Sequence, residues 1–242
     1  EQTASGYVCV WCNCPTSLIM APVLGYWDIR GLAQPIRLLL AHVDEKYEDK
    51  RYTAGPPPDF DRSAWLKDKP NLGLDFPNLP YWLDGDVKIT QSTAILRYLA
   101  RKHGLEGKTD AEKLRADIAE QQWSDFRMGF VRLCYNPDFD KLKDEYLTSL
   151  PASLKAFSDF LGKNKFFAGE NLTHVDFIAY EMLSQHLVFA PGCLKDFANL
   201  KDFVARVEAL PKVAAYIKSD KFISWPFNGD MAKFGSRLTK KP

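Results

Sequence analysis

Apolar residues follow two different patterns along the chain, and the pattern changes near residue 104. Before that point, short apolar runs alternate with segments of helical periodicity, and Asp84-Gly85-Asp86 separates two of the runs as a hairpin turn would. These features predict the order β-α-β-α-β-β-α. In chain order, the predicted elements span residues 22–27, 34–42, 47–52, 63–69, 81–83, 87–89 and 92–103.

After a predicted linker at residues 104–108, every apolar pattern is helical. The predicted helices of this part span residues 109–135, 141–161, 173–187, 200–210 and 211–219. The change of pattern predicts two domains. The first is an α/β domain at residues 20–103, and the second is an all-α domain at residues 109–242.

Two helix starts carry a specific capping signal. Thr109 and Glu112 have the spacing of a capping box, in which each side chain binds a free backbone N–H of the other residue. Thr173 and Asp176 form a second pair of this kind, with Asp in place of Glu. We interpret both pairs as structural, since a cap of this type contributes about 1 kcal/mol to a helix.

The overall charge points to neither a nucleic acid nor a membrane. The 242 residues carry 32 basic and 31 acidic side chains, a net charge of +1, which gives no broad basic field. No apolar run approaches the roughly 20 residues of a membrane span. The five cysteines do not resemble a disulfide framework in a chain of this length. We therefore expect a reducing, cytoplasmic location.

Residues 1–19 differ in composition from the rest, and we interpret them as an extension that is poorly ordered or artefactual. Cys9 and Cys12 have the Cys-x-x-Cys spacing of a redox pair, and with Cys14 they could begin a zinc site. Neither hypothesis has its context, because the pair precedes the first predicted strand and no second ligand pair follows at zinc spacing. We predict no metal site and no bound cofactor.

Residues 23–37 are the stretch around which the first domain is organised. They predict a buried strand, a tight turn relieved by glycines, and a helix with Pro35 in its first turn. Tyr26 lies where the strand ends and faces the helix N-terminus, where free N–H groups and the helix dipole favour ligand binding. Two interpretations remain open for Tyr26 and Trp27. They contact a ligand, or they are aromatic residues of the core.

Five ungapped motifs resemble mu-class glutathione S-transferases. They are LGYWDIRG at 24–31 followed by PIR at 35–37, PDFDRSAW at 58–65, LGLDFPNLPY at 72–81, ITQS at 89–92, and LCYNP at 133–137. The resemblance covers nearly everything from residue 20 onward. It implies a thioredoxin-like α/β N-terminal domain, an all-α C-terminal domain, and a homodimeric enzyme that conjugates reduced glutathione with hydrophobic electrophiles.

In this resemblance the first domain binds glutathione, which is a cosubstrate. Tyr26 is implied as the catalytic residue, because its hydroxyl donates to the glutathione thiolate, and no protein cysteine is then needed as the nucleophile. Leu79 is implied to pair with the peptide ligand through its backbone. The implied glutathione-binding set is Tyr26, Trp27, Arg62, Trp65, Lys69, Asn78, Leu79, Gln91, Ser92 and Asp125.

Several of these residues also have a plainer interpretation from the residues alone. Pro80 cannot join a central strand ladder, and it predicts a cis peptide bond whether or not a ligand binds beside it. Ser92 alone predicts a helix cap, although the resemblance implies that it binds the γ-glutamyl carboxylate. Arg62, Trp65 and Lys69 predict one face of a short helix that is otherwise solvated. Asp125 alone is a surface charge, but the resemblance implies that it reaches glutathione on the neighbouring subunit.

The electrophile site and the dimer interface are implied in the same way. The implied electrophile-binding residues are Ile29, Leu32, Met128, Val131 and Tyr135, with Phe227 as a further candidate. Most of them equally fit core positions, and residues 225–228 depart most from the mu pattern. The implied interface residues are Phe76, Arg97 and Asp117, of which Phe76 inserts into the partner subunit. Cys134 and Cys193 predict ordinary small apolar residues.

Three further functions are compatible with parts of this picture. A carrier of apolar ligands on the same fold would not need the Tyr26 hydroxyl. A glutathione-dependent isomerase or peroxidase would use the same thiolate and differ only in the electrophile site. A thioredoxin-like disulfide exchanger would need a cysteine where this chain has Tyr26.

Overall fold

The structure is a computed structural model, and it describes residues 21–241. The predicted extension at residues 1–19 lies outside the described residues, together with Cys9, Cys12 and Cys14. Among the described residues, no helix is long and apolar enough to cross a membrane. The same part of the chain contains no group of three or more His, Cys, Asp or Glu side chains that could hold a metal ion.

The first half of the fold is a four-stranded sheet with helices around it. Its elements are β1 (Val23–Trp27), α1 (Gln34–Val43), β2 (Glu48–Tyr52), α2 (Ser63–Asp68), β3 (Tyr81–Asp84), β4 (Val87–Thr90) and α3 (Ser92–His103). The strand order is β2-β1-β3-β4, in which β1 and β2 are parallel and the other two pairings are antiparallel. Since β1 is a central strand, its end lies at the middle of the sheet edge.

The second half is helical, as the periodicity predicts. Its elements are α4 (Asp110–Cys134), α5 (Phe139–Leu161), α6 (His174–Phe189), α7 (Ala198–Glu208) and α8 (Pro211–Ile217). Helix α6 is buried along most of its length and packs against α1, α4 and α7, so it forms the centre of the helical domain. Helix α1 touches both α6 and α8, which joins the two domains.

The predicted order of elements is confirmed, with small shifts at their ends and one correction. The predicted helix 63–69 ends at Asp68, and Lys69–Asn71 form a separate turn of 3₁₀ helix because Pro70 cannot donate to the α-helical ladder. The peptide bond between Leu79 and Pro80 is cis, as predicted. Two further cis bonds precede Pro58 and Pro226, where no sequence signal predicted them.

Both predicted capping pairs are present. The Thr109 hydroxyl accepts a hydrogen bond from the Glu112 backbone N–H at 3.2 Å. The buried Asp176 carboxylate accepts from the Thr173 N–H at 2.7 Å and from the Phe167 N–H at 2.8 Å. These contacts fix where α4 and α6 begin, and α4 supplies one wall of the site described below.

A buried ion pair joins the two domains at the turn that follows β1. Arg30 Nε donates to Glu181 Oε1 of α6 at 3.0 Å, and Arg30 Nη2 donates to Ser184 Oγ at 2.8 Å. The Gln185 amide also donates to Glu181 Oε1, at 2.7 Å. The side chains of Arg30 and Glu181 are 6% and 1% exposed, so both charges depend on these partners instead of water.

We predict that Glu181→Ala lowers the free energy of unfolding by about 3–5 kcal/mol, because it leaves the Arg30 charge buried without a partner. Chemical denaturation followed by circular dichroism measures this loss. The matched control is Glu145→Ala, which removes an exposed glutamate of α5 and is expected to change stability by no more than about 0.5 kcal/mol. Equal stability of the two variants would contradict a structural role for the ion pair.

Candidate functional site

The turn between β1 and α1 holds Tyr26 in a fixed position. The Tyr26 ring is buried, and its hydroxyl oxygen accepts a hydrogen bond from the Leu32 backbone N–H at 3.1 Å. Gly31 makes this possible, because a Cβ at that position would lie 2.6 Å from the Tyr26 hydroxyl oxygen. Gly31 also has a φ of +43°, which side chains other than glycine rarely adopt.

The environment of Tyr26 keeps its hydroxyl protonated. Burial raises the pKa of Tyr26 above its ordinary value, and the Leu32 N–H and the charges of Arg127 and Arg37 only partly oppose this effect. Within residues 21–241 the Tyr26 hydroxyl has an N–H donor but no acceptor for its own proton. The site therefore offers a neutral O–H donor, held at the sheet edge beside the start of α1.

Leu79 and cis-Pro80 stand immediately before β3, which lies beside β1 in the sheet. The Leu79 backbone N–H donates to Asn78 Oδ1 at 2.9 Å. This contact means that the backbone donor predicted to pair with a peptide ligand is occupied by a neighbouring side chain. A ligand that pairs with Leu79 N–H has to displace the Asn78 amide from it.

Gln91 and Ser92 form the start of α3. Gln91 has a φ of 72° and a ψ of 111°, an unusual conformation for a residue with a side chain, and it makes no side-chain cap hydrogen bond. Ser92 is the first helical residue. Strained backbone at a helix N-terminus, where N–H groups are free, is the type of feature that is retained at ligand sites.

Arg62, Trp65 and Lys69 do not lie on one helix, which corrects the prediction. Arg62 precedes α2, Trp65 lies within it, and Lys69 belongs to the following 3₁₀ turn. Trp65 is buried and stacks on Tyr81 with ring centres 6.1 Å apart, which accounts for it as a core residue. Arg62 and Lys69 form neither a hydrogen bond nor an ion pair with any described residue through their side chains.

Trp27 is half-buried at the end of β1, and its ring meets the edge of Tyr52 with centres 6.4 Å apart. Tyr52 hydrogen-bonds to the Tyr81 hydroxyl at 2.9 Å and to Asp68 Oδ2 at 2.8 Å. The ends of β1 and β2 are therefore tied to α2 by aromatic contacts and hydroxyl bonds. Tyr52 also meets the edge of Trp65 with ring centres 5.5 Å apart, so it links Trp27 to Trp65.

The predicted electrophile-binding residues fall into a buried group and an exposed group. Ile29 and Phe227 are buried, and Phe227 packs against the Arg30 guanidinium at 4.8 Å, so both serve packing at least in part. Leu32 shares a small cavity of about 30 Å³ with α4 residues. The remaining three lie on α4 and directly after it: Met128 and Tyr135 are exposed, and Val131 is half-buried.

Tyr135 connects α4 to the C-terminal segment. Its hydroxyl oxygen accepts a hydrogen bond from the Gly229 backbone N–H at 2.7 Å. Cys134, next to it, is fully buried, and burial raises the pKa of its thiol to about 12. Cys134 is thus an unreactive core residue at neutral pH, whereas the Tyr135 ring remains accessible.

Two family descriptions match the chain. "Glutathione S-transferase, N-terminal domain" matches residues 22–101, and "Glutathione S-transferase, C-terminal domain" matches residues 124–220. The chain is 57% identical to the human protein named Glutathione S-transferase Mu 3 over 93% of this chain and 98% of that protein. It is 55% identical to mouse Glutathione S-transferase Mu 1 over 90% of this chain and all of that one. The chain belongs to the mu class of the glutathione S-transferase family.

Solved structures agree with the family's fold. The crystal structure of the glutathione S-transferase Blo t 8 superimposes with a TM-score of 0.82 at 36% identity, and covers 88% of this chain and 99% of that one. A pi-class glutathione S-transferase from Onchocerca volvulus gives a TM-score of 0.78 at 32% identity, over 88% of this chain and all of that one.

The remaining predicted residues of this glutathione S-transferase are Phe76, Arg97, Asp117 and Asp125. Phe76 is 76% exposed in the loop before β3. Arg97 forms ion pairs with Asp117 at 3.0 Å and with the buried Glu120 at 2.8 Å. Asp125 lines an apolar cavity of about 660 Å³ between α4 and α5.

Sequence reasoning did not identify Arg127 as part of this glutathione S-transferase site. Arg127 lies on α4 and lines the small cavity that also contains Leu32 and Ser92. Its charge acts on Tyr26 across the domain boundary, where it favours the ionised hydroxyl. A single arginine in a long amphipathic helix gives no signal in the sequence, because only the packing of α4 against the β1–α1 turn brings it near Tyr26.

We predict that Gln91→Gly and Gln91→Ala separate backbone strain from ligand binding. Both variants remove the side chain but keep the backbone N–H groups at the start of α3, so they are expected to bind glutathione with affinities similar to each other and to the wild type. Only glycine tolerates the positive φ of this position, so the Gly variant is expected to be more stable to unfolding than the Ala variant by about 1 kcal/mol. Calorimetric titration and denaturant unfolding test the two effects, and equal stability would contradict the strain.

Proposed function

We propose that this protein catalyses attack of the glutathione thiolate on hydrophobic electrophiles, by substitution or addition, as a detoxifying glutathione S-transferase. The observation that carries the proposal is Tyr26, a buried and protonated hydroxyl fixed by the Leu32 N–H beside the start of α1. Membership of the mu class supports the same conclusion. The nucleophile belongs to the cosubstrate, so neither a protein cysteine nor a metal is required.

The energetic demand on this site is modest. A free thiol has a pKa of about 8.5, and lowering it by about 2 units requires about 2.7 kcal/mol of preferential stabilisation of the thiolate. A hydrogen bond from a neutral donor to a charged acceptor contributes about 1.5–3 kcal/mol. A helix N-terminus adds about 0.3–1 kcal/mol. Tyr26 and α1 are together sufficient.

The other glutathione contacts are proposed residue by residue. Leu79 pairs with the peptide backbone after the Asn78 amide moves aside. The start of α3, at Gln91 and Ser92, binds the γ-glutamyl carboxylate through free N–H groups. Two cationic and two aromatic side chains bind the other end of the tripeptide, and the two cations suit this role because their side chains form no hydrogen bond or ion pair with a described residue. These are Trp27, Arg62, Trp65 and Lys69.

We propose that the electrophile binds between the β1–α1 turn and the end of α4. Leu32, Met128 and Val131 offer apolar surface, and the accessible Tyr135 ring offers a polar hydroxyl at its edge. Ile29 and Phe227 support this surface from beneath. The glutathione-binding domain accordingly spans residues 20–103, residues 104–108 form the linker, and residues 109–242 carry the electrophile site. We place the enzyme in the cytoplasm, where glutathione is kept reduced.

We predict that Tyr26→Phe raises the pKa of the bound glutathione thiol by about 1–2 units and lowers kcat by about 10- to 100-fold, because it removes one hydrogen bond to a charged acceptor. Ultraviolet titration of the thiolate in the binary complex measures the shift. Tyr98→Phe, which removes a hydroxyl near Asp84 on the far side of α3, is the matched control. Bound glutathione that titrates like the free thiol in the wild type would instead favour a carrier of apolar ligands.

We also propose that the protein is a homodimer in which Phe76 enters the cavity between α4 and α5 of the partner subunit. Phe76 is an exposed aromatic side chain without a site on its own subunit, and the cavity is apolar and large enough for a phenyl ring. Arg97 and Asp117 form the charged part of this interface. Asp125 lines the same cavity, so the dimer would bring it towards glutathione on the partner.

We predict that Phe76→Ser weakens the dimer by at least tenfold, since an anchoring aromatic contributes about 2 kcal/mol or more. Sedimentation velocity over a concentration series measures the change. Glutathione affinity is expected to fall in parallel, because Asp125 no longer meets the partner's site. Leu238→Ser, which removes an exposed apolar side chain elsewhere, is the control and should leave both quantities unchanged. An unchanged sedimentation coefficient for Phe76→Ser would refute this interface.

A further inference from the structure

Residues 225–237 fold back on themselves into a compact segment, which we call the tail loop. The backbone N–H groups of Phe227 and Asn228 both donate to the Gly235 carbonyl, at 2.7 and 2.9 Å. Trp225 Nε1 donates to the Ser236 carbonyl at 3.0 Å. These internal bonds hold residues 225–237 in one compact fold.

The tail loop bridges both sides of the proposed electrophile site. On one side, the backbone N–H groups of Arg30 and Gly31 donate to the Pro226 and Phe227 carbonyls at 3.0 and 2.9 Å, in the turn that follows Tyr26. On the other side, the Gly229 N–H donates to the Tyr135 hydroxyl at 2.7 Å. The Lys233 N–H donates to the Cys134 carbonyl at the end of α4, also at 2.7 Å.

Arg237, at the end of the tail loop, contacts the residue that follows β1 through its side chain. Its Nη2 donates to both the Asp28 backbone carbonyl and Asp28 Oδ2, each at 2.7 Å. Asp28 follows Tyr26 by two residues. Asp28 is also held by Arg51 at 3.6 Å, so it stays in place whether or not Arg237 is bound. Asp230 supports Arg237 from within the loop, with 3.7 Å between Nη1 and Oδ2.

We propose that Arg237 is a positioning residue that latches the tail loop against Asp28 and thereby sets how fast the occupant of the electrophile site leaves. The inference rests on the proposed function, because it takes the site between the β1–α1 turn and α4 as the electrophile site. The side chains of Arg237 and Asp28 are 33% and 36% exposed, so water and salt reach the pair. An exposed pair of this kind is weak and reversible, as a latch has to be.

The two ends of the tail loop differ in how firmly they are attached. Phe227 is fully buried against Arg30, and its end of the loop is fixed by backbone bonds to the turn. The stretch from Gly229 to Arg237 is held by the Phe234 ring, which packs against Phe130 and Phe189 with ring centres 6.1 and 4.9 Å apart. Its polar attachments to the rest of the fold are the hydrogen bonds to Tyr135, Cys134 and Asp28, of which Arg237 makes the last. Loss of the Arg237 contact therefore increases local opening of this stretch without unfolding the domain.

The test compares Arg237→Gln with Lys240→Gln, which removes an exposed cation of the same tail that forms no hydrogen bond or ion pair with a described residue. We expect the amides of Gly229 and Lys233 to exchange hydrogen about threefold faster in Arg237→Gln, in line with one lost exposed ion pair. We expect S-hexylglutathione, whose alkyl chain occupies the electrophile site, to dissociate faster by a similar factor in stopped-flow experiments. Arg237→Lys, which keeps the charge, should recover part of the effect.

Two further readouts identify the mechanism. Added salt should speed dissociation from the wild type towards the Arg237→Gln rate and leave that variant less affected. In an Asp28→Asn background, Arg237→Gln should have a much smaller effect, because the two changes remove the same contact. Glutathione itself does not reach the electrophile site, and its affinity should remain unchanged.

Wild-type rates of exchange and dissociation in Arg237→Gln would overturn the latch. An equal loss of glutathione and S-hexylglutathione affinity would also overturn it, since that result would indicate general damage to the strand. The Tyr26→Phe titration tests the proposed function separately. If Tyr26→Phe raises the pKa of the bound thiol as expected but Arg237→Gln leaves the dissociation rate of S-hexylglutathione unchanged, the latch alone is refuted. Faster amide exchange in Arg237→Gln without a thiolate response to Tyr26→Phe would remove the catalytic role and leave the latch as a gate for apolar ligands.

Discussion

The buried pair between Arg30 and Glu181 is the constraint on which the site depends. It fixes the turn after β1 to the central helix α6, and Tyr26 lies four residues before Arg30, near the end of β1. Burying two charges is costly unless every donor and acceptor is satisfied, and Ser184 and Gln185 supply the additional bonds. The result is a joint with one well-defined geometry, so a hydroxyl carried on it is positioned before the ligand arrives.

This rigidity determines what kind of chemistry Tyr26 can supply. Burial favours the neutral hydroxyl, while the Leu32 N–H and the charge of Arg127 limit how far its pKa rises. A donor that stays protonated can stabilise a thiolate without giving up its proton completely. Gly31 is part of the same arrangement, because any larger residue there would push against the hydroxyl. This short segment thus fixes the position of the Tyr26 hydroxyl and also keeps it protonated.

The sequence predicted what depends on neighbouring residues and missed what depends on distant ones. Helix α3 begins and ends where its pattern indicated, and Thr109 caps α4, because capping and periodicity are local. The split at Lys69 was missed, although Pro70 could have indicated it. Arg30 and Glu181 are separated by 151 residues, and the contact between Arg237 and Asp28 spans 209. Such pairings leave no periodic trace in a single sequence.

The two long-range pairs also differ in a way that suits their places in the site. The pair that holds Tyr26 is buried, whereas the pair between Arg237 and Asp28 is about one-third exposed on each side. A thiolate donor has to remain still throughout the reaction, but a bulky conjugate has to leave after it. Burial makes the first contact permanent on that timescale, and exposure to water keeps the second exchangeable. The same turn can therefore hold the hydroxyl that binds glutathione in a fixed position and still allow the product to leave.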